Sequence, residues 1–346
     1  MRFWETHTLR FGIFDHLDDS GMPLAEHFEN RLRLVEAYDR CGFESYHVAE
    51  HHGTPLGFAP SPAVFLSAVA QRSRRLRFGP LVFLLPLYHP LRLIEEICML
   101  DQMSGGRLEL GVGRGVSPIE QGLFGIDPSE GMARYQEALD IVLRGLCSEE
   151  LTYRGKFYSL DRVPIVMKPA QRPHPPLWYG TSNPDTAVWA AAHDVNVIGL
   201  LPAPRLRAIT DRYRAEWQRL GKTETALPKL GAARHIVLAE NEGEARAEAR
   251  QAYPAWRTNM ELLWKQRGVP FTLPVPNEFD EYQKAGFGFA GTPAGARDFI
   301  RQQIDTAGVN YIACGIAFGT LPVASSLRTT DLLAREVMPA FQEGAA

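Results

Sequence analysis

The amino-acid sequence predicts an α/β fold, a (β/α)8 TIM barrel that forms a single domain over residues 1–346. Short apolar runs alternate with longer amphipathic stretches from residue 9 onward, which is the pattern of βα units and a parallel sheet. Eight strands can be counted, and no stretch has the composition of a domain linker. A barrel of this type routinely takes about 250 residues or more as one unit, so the length also fits.

The first 115 residues carry four of the predicted strands. These strands are residues 9–14, 45–49, 78–85 and 108–112, and the helices after the first three are residues 24–41, 61–72 and 90–103. Gly42 suits the end of the first helix, and Ser61 followed by Pro62 suits the start of the second. The third strand is an almost continuous apolar run, as expected for a strand buried on both faces.

The second half continues the alternation with two long interruptions. The predicted strands are residues 177–180, 195–200, 229–238 and 309–316, and the predicted helices are residues 134–146, 186–193, 205–220, 242–266, 294–307 and 327–341. Residues 148–176, between the fourth and fifth strands, are rich in proline and turn residues and are predicted as an irregular excursion. Residues 267–291, after the seventh strand, are too long for an ordinary connection and are predicted as a lid.

Charge and cysteine content exclude several classes of function. The chain has 37 Lys and Arg against 40 Asp and Glu, a formal charge of −3, and no basic cluster, so nucleic-acid binding is not expected. Four widely spaced cysteines predict reduced thiols in a cytoplasmic protein. No apolar run is long enough to span a bilayer and no export signal is visible, so membrane association is not expected either.

A cluster of ionisable residues follows the second predicted strand, at the end where a barrel places its active site. Glu50, His51 and His52 are consecutive there. With His47 they also form an H-x-x-E-H pattern, which binds zinc when it lies on a helix. On a strand, at about 3.3 Å per residue, the two outer histidines lie roughly 13 Å apart, so no metal site is predicted. Adjacent histidines beside a glutamate favour general acid–base chemistry instead.

Two turns after the fourth and fifth strands favour anion binding. Residues 111–116 read Gly-Val-Gly-Arg-Gly-Val, which lacks the third glycine of a dinucleotide fingerprint. Arg114 between two glycines suits a phosphate, although the glycines alone could serve a tight turn. Thr181, Ser182 and Asn183 precede a helix start, where they could bind a phosphate or cap the helix. Both interpretations stay open.

The motifs together resemble the luciferase-like flavin-dependent monooxygenases, relatives of the bacterial luciferase subunits, over nearly the whole chain. The segments that carry the resemblance are Ala-Glu-His-His at 49–52, Leu-Pro-Leu-Tyr-His-Pro at 85–90, Asp-Gln-Met-Ser-Gly-Gly-Arg at 101–107, Gly-Val-Gly-Arg-Gly at 111–115, residues 182–189, Gly-Thr-Leu-Pro at 319–322 and Arg-Glu-Val-Met-Pro at 335–339.

The resemblance implies a monooxygenase that uses reduced FMN and O2 on a small, largely apolar organic substrate. It implies a phosphate site formed by Arg114, Ser182 and Thr186, with Thr181 and Asn183. It implies that the flavin ring packs on Leu81, Val82, Phe83 and Leu84, where the family often has a cis peptide between non-proline residues. His51 is the implied acid–base group, beside Glu50 and His52.

Four aromatic residues are expected to wall a dry barrel mouth: Phe14, Phe83, Tyr88 and Phe318. Gly113 stands where the light-emitting subunits carry a reactive cysteine, so light emission is not expected. A deazaflavin (F420)-dependent oxidoreductase and a non-catalytic flavin-binding protein are the alternatives.

Two partners are expected from the resemblance. The first is a separate NAD(P)H-dependent flavin reductase, since no flavin-reducing domain is visible in the sequence. The second is another copy of the chain in a homodimer. Apolar positions at Leu91, Ile94 and Ile97 on the third helix are compatible with such an interface, and burial in the core explains them equally well.

Overall fold

Parallel pairing closes the predicted sheet into a barrel. The computed structural model describes residues 9–271 and 273–341. The strands within them are β1 (Arg10–Asp15), β2 (Ser45–Val48), β3 (Arg77–Pro80), β4 (Phe83–Leu84), β5 (Leu110–Gly113), β6 (Glu150–Arg154), β7 (Ser159–Pro164), β8 (Leu177–Gly180), β9 (Asn196–Gly199), β10 (Leu230–Leu238), β11 (Gly288–Gly291) and β12 (Tyr311–Gly315).

The helices lie around this sheet. They are α1 (Leu24–Cys41), α2 (Pro62–Arg72), α3 (Pro90–Met103), α4 (Pro118–Leu123), α5 (Gly131–Cys147), α6 (Asp185–Ala192), α7 (Ala203–Arg219), α8 (Glu242–Gln266), α9 (Phe279–Lys284), α10 (Pro293–Ala307) and α11 (Val323–Leu332). Helix α1 ends where predicted, at Gly42 with a φ of 80°. The short helix α4 is absent from the sequence prediction.

Eight barrel positions are filled in chain order. The paired order is β3-β2-β1-β12-β10-β9-β8-β5-β4, in which β3 and β4 are two parts of the third barrel strand. A bridge between Phe78 and Leu108 joins that strand to the segment before β5. All of these pairs are parallel, so the carboxyl ends of the strands meet at one end of the barrel. The predicted TIM barrel is confirmed.

The barrel interior is packed with side chains rather than open. Its buried residues are Trp178, Ile198, Ala233, Tyr311 and Ala313. Toward the carboxyl ends of the strands, three partly exposed apolar residues cover this core: Phe14, Leu81 and Leu200. These three residues form an apolar surface at the carboxyl end of the barrel interior, which we call the apolar floor.

The third strand is interrupted, which the continuous apolar run did not predict. Its pairing with β2 ends at Pro80, and its pairing with β5 begins at Phe83. The peptide bond between Leu81 and Val82, in the gap, is cis. A non-proline cis peptide was expected at this place, and it is present.

Residues 148–176 are more regular than predicted. Strands β6 and β7 form an antiparallel hairpin over part of this segment. Its turn is held by the carboxylate of Glu137 on α5, which accepts the backbone N–H groups of Lys156, Phe157 and Tyr158 at 2.8 to 3.1 Å. This contact joins residues about 20 positions apart, so local composition does not reveal it.

The prediction of a lid at residues 267–291 is wrong for the second half of that segment. Helix α9 and strand β11 lie there, and β11 extends the sheet beside β10, with Gly288 opposite His235. Tyr282 of α9 is fully buried against Tyr253 and Trp256 of α8. Aromatic packing therefore fixes the segment to the barrel.

Two further expectations need correction. The last helix begins earlier than predicted and ends at Leu332, followed by a π-helical turn at Leu333–Val337 and a 3-10 turn at Met338–Phe341. Pro339 lies in that last turn and has no N–H to continue an α-helix. Ile94 and Ile97 are fully buried in the core, so they offer no surface to a second subunit.

Candidate active site

The barrel mouth is formed by the carboxyl ends of the strands above the apolar floor. Phe14 and Tyr88 keep partial exposure there, as expected for wall residues. Phe83 and Phe318 do not, because they are at most 1% exposed. Phe83 packs on Tyr88, and Phe318 stacks on His235 at 4.3 Å. Of the four aromatic residues predicted to line the mouth, only Phe14 and Tyr88 are therefore partly exposed there.

The residues expected to contact a flavin ring divide into two pairs. Leu81 and Val82, which share the cis peptide, are partly exposed. Phe83 and Leu84 are buried. The first pair alone presents substantial side-chain surface at the mouth.

The alternate glycines after the fourth barrel strand fit against the cis segment. A Cβ atom on Gly113 would lie 2.5 Å from Cγ2 of Val82, and one on Gly111 would collide with the carbonyl oxygen of Pro80. Gly115 has a φ of +87°, which favours glycine. The motif thus serves close approach of two strands as well as the turn that carries Arg114.

The two turns expected to bind an anion are neighbours. Strands β5 and β8 pair with Val112 opposite Tyr179, and Arg114 and Thr181 each follow that pair by two residues. Burial raises the pKa of Tyr179, and the positive charge of Arg114 partly opposes that rise.

Hydrogen bonds within the second turn link the side chains of Thr181 and Thr186 to each other and to the backbone of Asn183. The hydroxyls of Thr181 and Thr186 are 2.5 Å apart, and Thr186 also donates to the carbonyl of Asn183 at 2.7 Å. The side chain of Asn183 accepts the N–H of Asp185, the first residue of α6, whereas the N-cap position is Pro184 and has no side-chain cap bond. Ser182 is exposed and, among the described residues, its hydroxyl has no partner. Asn183 therefore bonds to a helix amide from one residue before the cap, and the Ser182 hydroxyl remains available to a ligand.

The structure separates the three predicted catalytic residues after β2. His51 places Nδ1 3.2 Å from Oε1 of Glu120 on α4, and its ring stacks on that of His16 at 5.9 Å. His52 turns its Nε2 to Glu50, 2.9 Å away, and its ring contacts Phe124. Of the two histidines, His51 lies beside His16, whose ring also contacts Phe14 of the floor.

Glu50 is buried, and its carboxylate accepts hydrogen bonds from neighbouring segments. Its Oε2 accepts the N–H of Leu84 at 3.1 Å and the hydroxyl of Tyr88 at 2.9 Å, in addition to the His52 contact. Burial raises the pKa of the Glu50 carboxyl, although these hydrogen bonds favour the ionised form. The residue holds the cis segment beside β2, and its oxygens are already occupied.

Three residues of the mouth were missed from the sequence. His16 and His235 are buried, and Trp256 of α8 lies against both, with ring centroids 5.9 and 4.6 Å away. Burial, and then the neighbouring His51 and His235, lower the pKa of His16 well below its usual value. Burial lowers the pKa of His235 to about 3. Both imidazoles are therefore neutral at neutral pH.

Glu120 was also missed, although a local signal exists. Ser117 caps α4 and accepts the N–H of Glu120, so residues 117–120 form the Ser-x-x-Glu pattern of a capping box. The Glu120 carboxylate does not complete that box. It accepts the backbone N–H of His52 at 3.0 Å and contacts His51.

His47, the first histidine of the H-x-x-E-H pattern, lies within β2 and is fully buried. Its Nε2 is 3.1 Å from Glu109, whereas His51 contacts Glu120. Burial would raise the pKa of Glu109, but Lys229, His47 and Arg77 hold it well below its usual value. No group of three possible metal ligands is present in residues 9–271 and 273–341.

No helix in the described part of the chain is both long and apolar enough to cross a bilayer.

Comparisons with known proteins agree on one family. The family model for luciferase-like monooxygenases matches residues 9–309. A Sinorhizobium fredii protein, named Uncharacterized protein y4wF, is 45% identical over 330 residues, 95% of this chain and 96% of its own.

Two solved structures share the fold of this chain. The monooxygenase RslO1 from Streptomyces bottropensis superposes with a TM-score of 0.87 at 28% identity, covering 96% of this chain and all of its own. The oxygenating constituent of 3,6-diketocamphane monooxygenase from Pseudomonas putida, described as a type II Baeyer-Villiger monooxygenase in complex with FMN, has a TM-score of 0.76 at 19% identity. It covers 96% of this chain and 98% of its own, and at this identity it supports the fold alone.

Proposed function

The chain belongs to the luciferase-like monooxygenase family, and we propose that it is an oxygenase that uses reduced FMN and O2 to insert one oxygen atom into a small, largely apolar organic substrate. The observation that carries the proposal is that one barrel mouth brings together the adjacent turns after β5 and β8, an apolar floor and a histidine that contacts a carboxylate.

The residues present fit an FMN cofactor. Arg114 and Ser182 lie on the adjacent turns after β5 and β8 and would hold the phosphate, with Thr181, Asn183 and Thr186 shaping the second turn. A Cβ atom on Gly180 would meet nothing within 4 Å, so the end of β8 leaves open space beside these donors. The start of α6 adds the positive end of a helix dipole near these donors.

The apolar floor would receive the flavin ring. Leu81 and Val82 give it an aliphatic surface, and Phe14 and Leu200 continue that surface toward β1 and β9. When bound, reduced FMN supplies the electrons and the carbon atom that react with O2. The protein excludes water with its apolar residues and directs proton transfer.

His51 is the proposed acid–base residue. Its ring stacks on that of His16, which in turn contacts the floor residue Phe14. Nδ1 of His51 contacts Glu120, and among the described residues Nε2 has no hydrogen-bond partner. It can therefore hold or accept a proton at Nε2. His52 and Glu50, which bind each other, position the strand end around it.

Three further proposals concern the surroundings of the enzyme. A separate NAD(P)H-dependent reductase would supply reduced FMN, in line with the name "oxygenating constituent" of the Pseudomonas putida neighbour. A homodimer is proposed from family membership. A cytoplasmic location is supported by four cysteines that form no disulfide.

The test is a single-turnover reaction with chemically reduced FMN and 18O2. The substrate panel contains a medium-chain aldehyde, a cyclic ketone and a cyclic alkene. The proposal predicts one 18O atom in the product of at least one substrate, and a His51→Asn variant that binds FMN but does not transfer oxygen. Substrate oxidation by the deazaflavin without 18O incorporation would favour the F420 alternative, and FMN binding without turnover of any panel member in single-turnover experiments would favour the flavin-binding alternative.

A further inference from the structure

Glu120 contacts His51 and His52 at the same time. Its Oε1 lies 3.2 Å from Nδ1 of His51, and its Oε2 accepts the backbone N–H of His52 at 3.0 Å. The residue is 5% exposed, so water competes little for either oxygen. The carboxylate therefore bridges a side chain and the backbone of consecutive residues.

The bridge selects one state of the His51 ring. A backbone N–H can only donate, so Oε2 is an acceptor in the His52 contact. An ionised carboxylate accepts with both oxygens, so the contact at Oε1 requires a proton on Nδ1 of His51. The neutral ring then carries its lone pair on Nε2, the nitrogen that has no partner in the described residues.

We propose that Glu120 is a positioning residue that holds His51 in its Nδ1-protonated form, so that Nε2 is the nitrogen that exchanges a proton at the mouth. A carboxylate that orients a histidine through its second nitrogen is a general arrangement in acid–base sites. The assignment of a catalytic role to Nε2 rests on the proposed function. The form of the ring does not depend on it.

Helix α4 is built to deliver this carboxylate. Ser117 caps the helix by accepting the N–H of Glu120 at 3.3 Å, and Pro118 follows at its first position. Gln121, next to Glu120, donates to the carbonyl of Arg114 at 3.1 Å. The same helix thus ties the histidine to the turn that carries the proposed phosphate ligand.

The decisive measurement is nitrogen NMR of the ring nitrogens in protein labelled with 15N-histidine, at pH 8 and without cofactor. The chain has 10 histidines, and a His51→Asn spectrum identifies the signals of His51. The wild-type protein is expected to show a protonated Nδ1 and an unprotonated Nε2. The opposite pattern in wild type overturns the proposal without any variant of Glu120.

Glu120→Gln gives a second, independent result. The amide has one oxygen, which the His52 N–H requires, so its NH2 group faces Nδ1 and favours the form with the proton on Nε2. The His51 signals should invert, and kcat should fall about tenfold with little change in KM. An unchanged His51 pattern in Glu120→Gln contradicts the proposal. If the NMR results hold but no oxygenation is found, the proposed function fails and the ring assignment stands.

Discussion

Gly113 lies so close to the side chain of Val82 at the barrel mouth that a Cβ atom on residue 113 would be only 2.5 Å from Cγ2 of Val82. Two neighbouring barrel strands thus approach each other more closely than a side chain would allow. At Gly180, one strand further, a Cβ atom would meet nothing within 4 Å. These two glycines therefore make a matched pair for experiment.

Gly113→Ala should lower the free energy of unfolding by about 1–3 kcal/mol, since Val82 is β-branched and has little freedom to move. Gly180→Ala should leave the free energy of unfolding within about 0.5 kcal/mol of wild type and weaken FMN binding. Urea unfolding and FMN titration of both variants check this. Equal free energies of unfolding in the two variants would show that the close approach of Gly113 to Val82 does not contribute to stability.

Arg114→Gln should weaken binding of reduced FMN about 10- to 100-fold. The reason is that a hydrogen bond to a charged group contributes about 1.5–3 kcal/mol, and about 1.4 kcal/mol corresponds to tenfold in affinity. Arg154→Gln is the control, because Arg154 is exposed on the hairpin and 4.0 Å from Asp161. Anaerobic fluorescence titration measures both. Similar affinities for Arg114→Gln and the wild type would remove Arg114 from the phosphate site.

His51→Asn should reduce substrate oxidation about 10²- to 10⁴-fold, the usual contribution of a general acid or base, while FMN affinity changes little. His193→Asn serves as the control, since His193 follows α6 and bonds to the carbonyl of Trp189. Turnover and FMN affinity are measured on each protein. Full activity of His51→Asn would assign the proton transfer to another group.

His235→Phe should change how stability depends on pH. The pKa of His235 is about 3 in the fold and near 6.5 in an unfolded chain, so the unfolded state binds more protons between these values. Its contribution to the free energy of unfolding is therefore complete above pH 6.5 and is lost as pH falls, by about 1.4 kcal/mol per pH unit.

Titration of Asp18 changes stability with pH in the direction opposite to that of His235. Burial raises the pKa of Asp18 to about 7, so its contribution is lost as pH rises from about 4 to 7, and the comparison must be made between variant and wild type. Phenylalanine keeps the stacking of residue 235 on Phe318 and removes the proton. Urea unfolding from pH 4 to 7 should give a steeper rise of stability with pH in wild type than in His235→Phe. Identical slopes would mean that His235 does not lose its proton on folding.

The purified chain alone should not consume NADH faster than the background reaction with free FMN. Adding an NADH-dependent flavin reductase should start substrate oxidation, because this chain would then receive reduced FMN. NADH absorbance and product formation are followed together. Rapid NADH oxidation by the chain alone would contradict the proposed need for a separate reductase.

The elements predicted correctly from the sequence are those whose ends are marked by nearby residues. Helices α1, α3 and α8 and strand β8 have the predicted bounds, because apolar periodicity and flanking Gly or Pro residues mark their ends. The sequence also placed Arg114 and residues 181–186 at strand ends, and the barrel topology brings those ends together.

Contacts between distant residues were beyond such patterns. The Glu137 carboxylate that folds the β6–β7 turn lies about 20 residues away from it, and Glu120 lies 69 residues from His51. Burial was also misjudged at Phe83 and Phe318, because the sequence alone does not distinguish an apolar residue at a strand end that faces a ligand from one that faces the core.

The most direct test of the proposed flavin site is an anaerobic titration of the wild-type protein with reduced FMN, followed by rapid mixing with O2 while the flavin spectrum is recorded. We expect saturable binding of one FMN per chain, weakened at least tenfold in Arg114→Gln, and reoxidation of the bound flavin on a time course distinct from that of free FMN. Absence of FMN binding, together with binding of a reduced deazaflavin, would contradict this proposal.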